Sequence, residues 1–474
     1  MRINLDMTEG NLFKKIIIFA IPIILSGLLQ LFYNAADLII CDQFGTTANS
    51  TAAISATNSL INLIVNLFLG LSVGANVLMA RCIGSKNVEK GQKVVYTSMI
   101  FSLVFGVIIG LFGFFFSKYF LKWMGTPDEI IDLSTNYLKI YFIGVPFTMI
   151  YNFGASLFRA KGDSLFPFLF LAFAGLFNIA FNLIFVCVFK IDVFGVALAT
   201  VIAQAISAGL IIFWLKKSNS VFHFKFSELR FYKNEALEII KIGLPAGIQS
   251  ALFSISNVLI QSSVNSLGTY VLSGNGASQS LEGFIYTSMN GCAQAAIAFV
   301  AANYGAGKLE NIKKILIYTY IWIIIMNIIT GLTIYLLKEP LLGLYLSSVG
   351  ENLSEAKKVE VYKIALDAAV SRFTIITITY FLCGMMDTTA YSIRGMGNST
   401  LPMVISLIGA CGFRILWIYV FFPMEGLHSI FGLALSYPIS WAITLTILII
   451  AYILWYKKIK AKHIKNLEEN EIEI

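Results

Sequence analysis

The sequence predicts an all-α membrane protein whose twelve transmembrane helices form two pseudo-symmetric six-helix lobes. Three observations support this fold class. Of the 474 residues, 58% are hydrophobic and 13% are charged, and the mean hydropathy is +0.79, whereas soluble domains carry about 45–50% apolar and about 25% charged residues. Twelve apolar runs are each long enough to cross a bilayer, and motifs of the first half of the chain recur in the second half.

The twelve spans follow from the requirement of about 20 mainly apolar residues for a bilayer-spanning helix. Continuous apolar runs, such as residues 315–337, lack the alternation that transmembrane β-strands require. The first run is too long for the apolar region of a signal peptide and has no small-residue cleavage site, so we expect it to be retained. The predicted spans are 16–40, 52–80, 95–117, 134–157, 165–188, 194–215, 238–262, 274–303, 314–337, 368–392, 401–422 and 429–456.

The basic residues predict the orientation of the chain. Most of the 34 Lys and Arg residues lie in alternate connections, on the side of the membrane that holds the amino terminus. Short cytoplasmic connections carry an excess of Lys and Arg, so both termini are predicted to be cytoplasmic. The same clusters argue against a nucleic-acid partner, because no sustained basic domain is formed.

Three pairs of motifs indicate an internal repeat. The segments 159–167 (RAKGDSLFP) and 394–402 (RGMGNSTLP) match, as do FGVAL at 194 with FGLAL at 431, and GSKNVE at 84 with GAGKLE at 305. We interpret the repeated RxxG[DN]SxxP segments as tight turns between helices. Six spans separate the copies, so the halves share one topology, a design found in secondary transporters. The predicted organisation is a lobe over 1–215, a cytoplasmic linker over 216–237, a second lobe over 238–456 and a charged cytoplasmic tail over 457–474.

Polar side chains recur at helical spacing inside the apolar spans, where hydrocarbon penalises unpaired polar groups. Residues three or four positions apart lie on one helix face, so we expect a polar cavity in each lobe. In the first lobe the expected residues are Gln30, Asn34, Asp37, Asn58, Asn62, Asn66, Asn178, Asn182, Thr200 and Gln204. In the second lobe they are Ser250, Ser254, Asn257, Gln261, Gln279, Glu282, Tyr286, Asn290 and Gln294, together with the charges of Asp387 and Arg414.

Asp37 is the first candidate for a functional residue, because an ionised, unpaired carboxylate in the membrane is costly. The alternative for each Asn and Gln is a hydrogen bond that joins two helices. Arg414 is identified as the clear base within the spans. It would neutralise Glu282 or Asp387 in a static ion pair, or the three charges would belong to a working site.

The sequence offers few residues for catalysis, metal binding or nucleotide binding. The three histidines lie in connections or the tail, the six cysteines form no CxxC motif, and no GxxxxGK[ST] loop is present. We therefore expect neither an enzyme nor a cofactor, and transport energy must come from an ion gradient. A cavity lined by Phe and Tyr with a carboxylate nearby would suit lipophilic cations.

Several segments together resemble a known transporter family. They are 33–40 (YNAADLII), 70–76 (GLSVGAN), 194–200 (FGVALAT) and the two RxxG[DN]SxxP turns. With two six-helix halves, they are similar to the multidrug and toxic compound extrusion (MATE) transporters over nearly the whole chain. Within that family the chain resembles the bacterial branch typified by MepA.

This resemblance implies a multi-pass antiporter of the bacterial inner membrane that exports organic, often cationic or amphiphilic, compounds in exchange for sodium ions or protons. Two lobes would rock to give alternating access, and one chain would be functional as a monomer. The family's ion site matches Asp37, Asn178 and Thr200, which would also form a sodium site. Many members carry a second acid at the position of Asn182, which puts the charge of this site in question.

Three alternatives remain open at this point. The same fold would serve a flippase or exporter of a lipid-linked or other amphiphilic metabolite, although such cargo needs a basic cavity for its anionic head group. A membrane-embedded enzyme is disfavoured by the lack of clustered His and Cys. A passive channel would conduct without counter-ion exchange.

Overall fold

The computed structural model describes residues 5–45, 49–218, 224–347, 349–350 and 353–472, and no β-strand occurs in them. Twelve helices are long and apolar enough to span a membrane. They are α1 (Leu12–Phe44), α2 (Ser50–Gly84), α3 (Val88–Trp123), α4 (Asp128–Ala160), α5 (Leu165–Val188), α6 (Asp192–Lys217), α7 (Lys233–Asn265), α8 (Thr269–Gly305), α9 (Leu309–Leu336), α10 (Glu355–Gly395), α11 (Thr400–Phe421) and α12 (Ile430–Ile472). The predicted fold class and the twelve predicted spans are confirmed.

Most helices extend beyond the predicted spans. Helix α10, for example, begins at Glu355 instead of residue 368, and α3 begins at Val88 instead of residue 95. The length of an apolar run gives only the part of a helix that lies in the hydrocarbon. The helix continues into the polar interface as long as its backbone hydrogen bonds and caps support it. A short helix, Lys338–Leu346, lies between α9 and α10.

The backbone itself repeats between the two halves of the chain. Five joints of the first half each contain one residue with positive φ, and the corresponding joint of the second half contains a positive-φ glycine. The pairs are Asn49 and Gly268, Lys86 and Gly307, Gly125 and Gly350, Gly162 and Gly397, and Lys190 and Gly426. Left-handed residues end helices by turning the chain sharply, so the predicted repeat is present in the connections as well as in the motifs.

The RxxG[DN]SxxP segments are tight turns, as predicted. In the first copy the Asp163 carboxylate accepts the backbone N–H groups of Leu165 at 3.1 Å and Phe166 at 3.2 Å. In the second copy the Asn398 side-chain oxygen accepts the N–H of Leu401 at 3.1 Å. An Asp or Asn side chain thus satisfies free donors at the start of the next helix.

The described residues fall into two compact units. Unit 1 comprises those within Met1–Gly10, Leu25–Ala251 and Ala301–Ala306, and unit 2 comprises those within Asn11–Ile24, Leu252–Val300 and Gly307–Ile474. The division crosses α1 and α7 shortly after Pro22 and Pro245, which lie inside these helices. Proline removes a backbone hydrogen bond and bends a helix. The lobes predicted at 1–215 and 238–456 describe the sequence repeat and stay a prediction.

Within unit 1, α2 and α7 cross at glycines. Gly70 and Gly74 lie one turn apart on α2, and Gly243 and Gly247 do so on α7. A Cβ atom at Gly70 would collide with the backbone of Gly247, and one at Gly247 would collide with the backbone of Leu67. Small residues at i, i+4 spacing let two helix backbones approach closely, which is a common way to associate helices in membranes.

The predicted linker is only partly helical. Residues 219–223, which include His223, lie outside the described residues. The following segment packs on α3, where the Tyr96 hydroxyl donates to the Glu228 carboxylate at 3.0 Å and the Tyr96 ring contacts the buried Phe224 ring. The predicted tail continues α12 as a helix to Ile472, and the final two residues lie outside the described chain.

Candidate functional site

A cavity of about 390 Å³ lies within unit 1, between α1, α2, α4, α5 and α6. Helices α1, α2, α4 and α6 contribute polar side chains at i, i+3 or i+4 spacing, so each turns one face toward the same space, and α5 contributes Asn178. The lining residues are Gln30, Tyr33, Asn34, Asp37, Asn58, Ile61, Asn62, Val65, Asn66, Leu69, Tyr137, Tyr141, Thr148, Tyr151, Asn152, Leu171, Ala174, Gly175, Asn178, Thr200, Ala203, Gln204 and Ser207. All ten polar residues predicted for the first lobe except Asn182 are among them.

Asp37 is held by a chain of side-chain hydrogen bonds from α5 and α6. The Asn182 amide donates to Asp37 Oδ1 at 2.5 Å and to Asn178 Oδ1 at 3.3 Å, and the Asn178 amide donates to Thr200 Oγ1 at 3.5 Å. Asn182 is fully buried behind Asp37, which itself is 8% exposed. The i, i+4 pair on α5 thus links the carboxylate of α1 to the hydroxyl of α6.

Asp37 is the charged side chain among the described residues that line this cavity, and no Lys or Arg is among them. An ionised carboxylate in such a place requires a positive partner. The buried Oδ1 atom of Asn182 accepts no hydrogen bond from the described residues. A protonated Asp37 could donate to that oxygen after rotation of the amide, since amide nitrogen and oxygen exchange places at little cost in space.

The stripe on α2 differs from the network around Asp37. The side chains of Asn58, Asn62 and Asn66 line the cavity, and none forms a side-chain hydrogen bond with another described residue. The alternative of hydrogen bonds between helices therefore does not hold for this stripe in the described structure. By contrast, Asn178 and Asn182 do join helices, and they do so through the candidate ion site.

Helix α4 supplies cavity residues that sequence reasoning missed. Tyr137, Tyr141, Thr148, Tyr151 and Asn152 all line the cavity. Their spacing follows one helix face, so the same search that found the stripes on α1 and α2 would have found this one. Tyrosine does not stand out as a polar residue in an apolar span, because its ring is apolar enough to pack in a membrane.

The residues predicted for the second lobe lie in unit 2, except Ser250, which lies in unit 1, and none of them lines this cavity. One alternative left open by the sequence, an ion pair of Glu282 with Arg414, is not formed among the described residues. Glu282 forms a two-point ion pair with Arg372 of α10, whose Nε and Nη2 atoms donate to the two carboxylate oxygens at 2.8 Å each. Arg372 was missed as an intramembrane base although it lies within the predicted span 368–392, so Arg414 is not the single clear base of the spans.

Arg414 has other neighbours. Its Nε atom donates to Ser440 Oγ at 3.1 Å, and its guanidinium lies over the Tyr437 ring at 4.3 Å. Among the described residues it forms no ion pair with an acid, so the proposed neutralisation of Asp387 by Arg414 is also absent. Asp387 interacts instead with Tyr286 and with the charge of Arg394.

Two of the amides predicted for the second lobe, Asn257 and Gln261, lie on α7. The Asn275 amide donates to Gln261 Oε1 at 3.2 Å, which is a hydrogen bond between α8 and α7. Asn257 is exposed. Tyr286 stacks on Tyr380 with ring centroids 6.1 Å apart. The structure therefore brings the first-lobe candidates together in one cavity. In unit 2, Glu282, Tyr286, Asp387 and Arg414 are connected instead through Arg372 and a cluster of Tyr380, Tyr437 and Trp441.

Twelve spanning helices and a polar cavity with one buried carboxylate are typical of transporters. Comparison with known proteins agrees. The model of the MatE family matches residues 22–184 and 245–420. The chain belongs to the MatE family and is a transporter, not an enzyme, so the predicted resemblance to this family is confirmed.

Similar proteins cover almost the whole chain. "Probable multidrug resistance protein YoeA" of Bacillus subtilis is 26% identical over 464 residues, 95% of this chain and 96% of that protein. "Multidrug export protein MepA" of Staphylococcus saprophyticus is 23% identical over 449 residues, 94% of this chain and 95% of that protein. A crystal structure of MATE in complex with MaL6 superposes with a TM-score of 0.86 at 19% identity, covering 97% of this chain and all of that chain, which establishes the shared fold.

Proposed function

We propose that this chain is a secondary antiporter that exports small organic compounds, cations among them, across the bacterial inner membrane in exchange for protons or sodium ions. The observation that carries this proposal is the position of Asp37. It is the charged residue in the lining of a polar intramembrane cavity, and its hydrogen-bond partner is the neutral amide of Asn182, which links it through Asn178 to the Thr200 hydroxyl. Relatives named as multidrug resistance and multidrug export proteins support the direction and the substrate type.

The mechanism is competition for one negative charge. A proton or sodium ion entering from outside neutralises Asp37 and so changes the hydrogen bonds that join Asp37 to Asn182 and Asn178 of α5. The exported compound is then released. Loss of the ion on the inside restores the carboxylate and the affinity of the cavity. A sodium ion would be held by oxygens of Asp37, Asn178 and Thr200, whereas a proton would need only the carboxylate and the free Asn182 oxygen.

Alternating access would come from movement of one lobe against the other, with both termini in the cytoplasm and one chain as the transport unit. Lysine clusters in the inner connections support this orientation. Transfer of lipid-linked cargo on the same fold is less favoured, because an anionic head group requires basic side chains. None is present among the described residues that line the cavity.

The test is efflux of ethidium, a fluorescent organic cation, from cells that express the chain, under a sodium gradient or a pH gradient imposed separately. One of the two gradients is expected to drive efflux by the wild-type protein, and Asp37→Asn is expected to abolish that dependence. Full gradient-driven efflux by Asp37→Asn would overturn the assignment of the ion site. Failure of both gradients to drive ethidium efflux by the wild-type protein would overturn gradient-driven export of organic cations.

A further inference from the structure

We infer that the unit 1 cavity selects hydroxyl-bearing compounds of the glycoside class, nucleosides included, that are neutral or carry a single positive charge. This inference rests on the proposed function, because it names the substrate class of the same cavity. It departs from the expectation of a pocket for flat lipophilic cations, and the reason is the chemistry of the lining.

Fifteen of the 23 lining residues carry an uncharged hydrogen-bonding side chain. Eight of its residues have amide side chains: Gln30, Asn34, Asn58, Asn62, Asn66, Asn152, Asn178 and Gln204. Four tyrosines and three smaller hydroxyl residues are added to these. The chain contains 39 Phe, 13 Met and 6 Trp residues, and none of them is in the lining. Pockets for apolar ligands use such side chains, so their exclusion from this cavity argues against an apolar cargo.

The amides on α2 are arranged as a ladder. Asn58, Asn62 and Asn66 occupy successive turns of one face, so the ladder extends over about 12 Å at a rise of about 1.5 Å per residue. Each amide offers both donors and an acceptor, and these three are not used by other described residues. A sugar presents adjacent hydroxyl groups that donate and accept in the same way. The ring system of a planar aromatic cation would leave the three amides without hydrogen-bond partners.

Helices α1, α4 and α6 add complementary groups to the lining. Gln204 of α6 lines the cavity beside Tyr141 of α4, with which its side chain forms a hydrogen bond. Tyr137 and Tyr141 stack with ring centroids 6.4 Å apart, and Tyr33 packs against Gly175. A tyrosine offers an apolar face and a hydroxyl, which suits the alternating CH and OH surface of a sugar ring.

Charge and size set the remaining limits. Asp37 is the single carboxylate of the lining, so a cargo with several positive charges would lack partners. The volume of about 390 Å³ lies at the lower end of the range for small-molecule pockets. It suits a nucleoside or a simple glycoside.

The inference is tested by binding to the purified full-length chain without any ion gradient. The probes are two matched pairs, 1,N6-ethenoadenosine with its 2′,3′-dideoxy analogue and 4-methylumbelliferyl glucoside with 4-methylumbelliferone, and ethidium serves as the flat lipophilic cation. We expect each hydroxyl-bearing probe to bind at least about tenfold more tightly than its partner, because a site built for hydroxyl groups rejects analogues that lack them.

Variants locate the effect on the ladder. Asn62→Leu and Asn66→Leu keep the side-chain size while removing the amide, and each is expected to weaken binding of the sugar-bearing probes about tenfold with less than about a twofold effect on ethidium. Ile64→Leu, on the same helix but outside the lining, is the matched control and should leave all probes unchanged. A melting temperature equal to wild type shows that each variant is folded.

Equal binding within both matched pairs, or no binding of either sugar-bearing probe, overturns the inference. Tight ethidium binding also overturns the inference if Asn62→Leu and Asn66→Leu change neither that binding nor the binding of the sugar-bearing probes. These outcomes leave the antiport proposal standing, because that proposal fails only if transport is independent of the gradients or of Asp37.

Discussion

The buried ion pair of unit 2 predicts that replacing one partner destabilises the protein strongly, and that replacing both destabilises it much less. Glu282 and Arg372 have side chains that are 6% and 3% exposed, and they meet through two hydrogen bonds of 2.8 Å. Ser278 donates a third hydrogen bond to the carboxylate at 2.7 Å. Glu282→Gln would leave the Arg372 guanidinium buried without its counter-charge, and loss of one partner of a buried pair costs about 3–5 kcal/mol.

The assay is unfolding of the purified protein in detergent, followed by denaturant or heat. Glu310→Gln is the matched control, because the pair between Glu310 and Lys460 is 3.0 Å long but its side chains are about half exposed. Exposed pairs contribute about 0–1 kcal/mol. The double variant Glu282→Met with Arg372→Met should recover most of the loss, since it leaves no unpaired buried charge. If Glu282→Gln were as mild as Glu310→Gln, the interpretation of this pair as a structural element would be refuted.

Three further predictions follow from the packing and the turns. Gly175→Ala should drive the Tyr33 ring from its place and reduce probe binding in the cavity, which is measured with the purified chain; unchanged binding would contradict the packing described here. Gly247→Ala should lower the free energy of unfolding by about 1–3 kcal/mol, because its methyl group would meet the Leu67 backbone, and a neutral effect would argue against close contact of α2 with α7. Asp163→Ala should lower the free energy of unfolding by about 1 kcal/mol, because it removes the cap at the start of α5. An unchanged free energy in the same denaturation assay would contradict this role of Asp163.

Much of the fold is readable from the sequence because the membrane imposes a simple rule. A helix must keep its apolar surface over the hydrocarbon thickness, so twelve spans stand out in the sequence. The turn motifs also report local geometry directly, as the positive φ of Gly162 and Gly397 shows. Helix ends in the polar interface are not marked by hydropathy, and α10 therefore begins thirteen residues before its predicted span.

The site was predictable where polarity and spacing coincide. The stripes of Asp37 on α1 and Asn62 on α2 were found because polar side chains in apolar runs are rare. The stripe of Tyr141 on α4 was missed because tyrosine fits a membrane equally well as a packing residue. The partner of Glu282 was missed because spacing identifies faces within one helix, whereas the choice of Arg372 over Arg414 depends on how separate helices meet.

The central claim is that the coupling ion and the exported compound compete for Asp37. Its most direct test is ion release on addition of ethidium to the purified chain, in weakly buffered solution with a pH-sensitive dye for protons and with radioactive sodium for sodium ions. The wild-type protein should release one of the two ions, Asp37→Asn should release neither, and Asp42→Asn, which changes an exposed acid of the same helix, should behave as wild type. Undiminished ion release by Asp37→Asn would contradict the account.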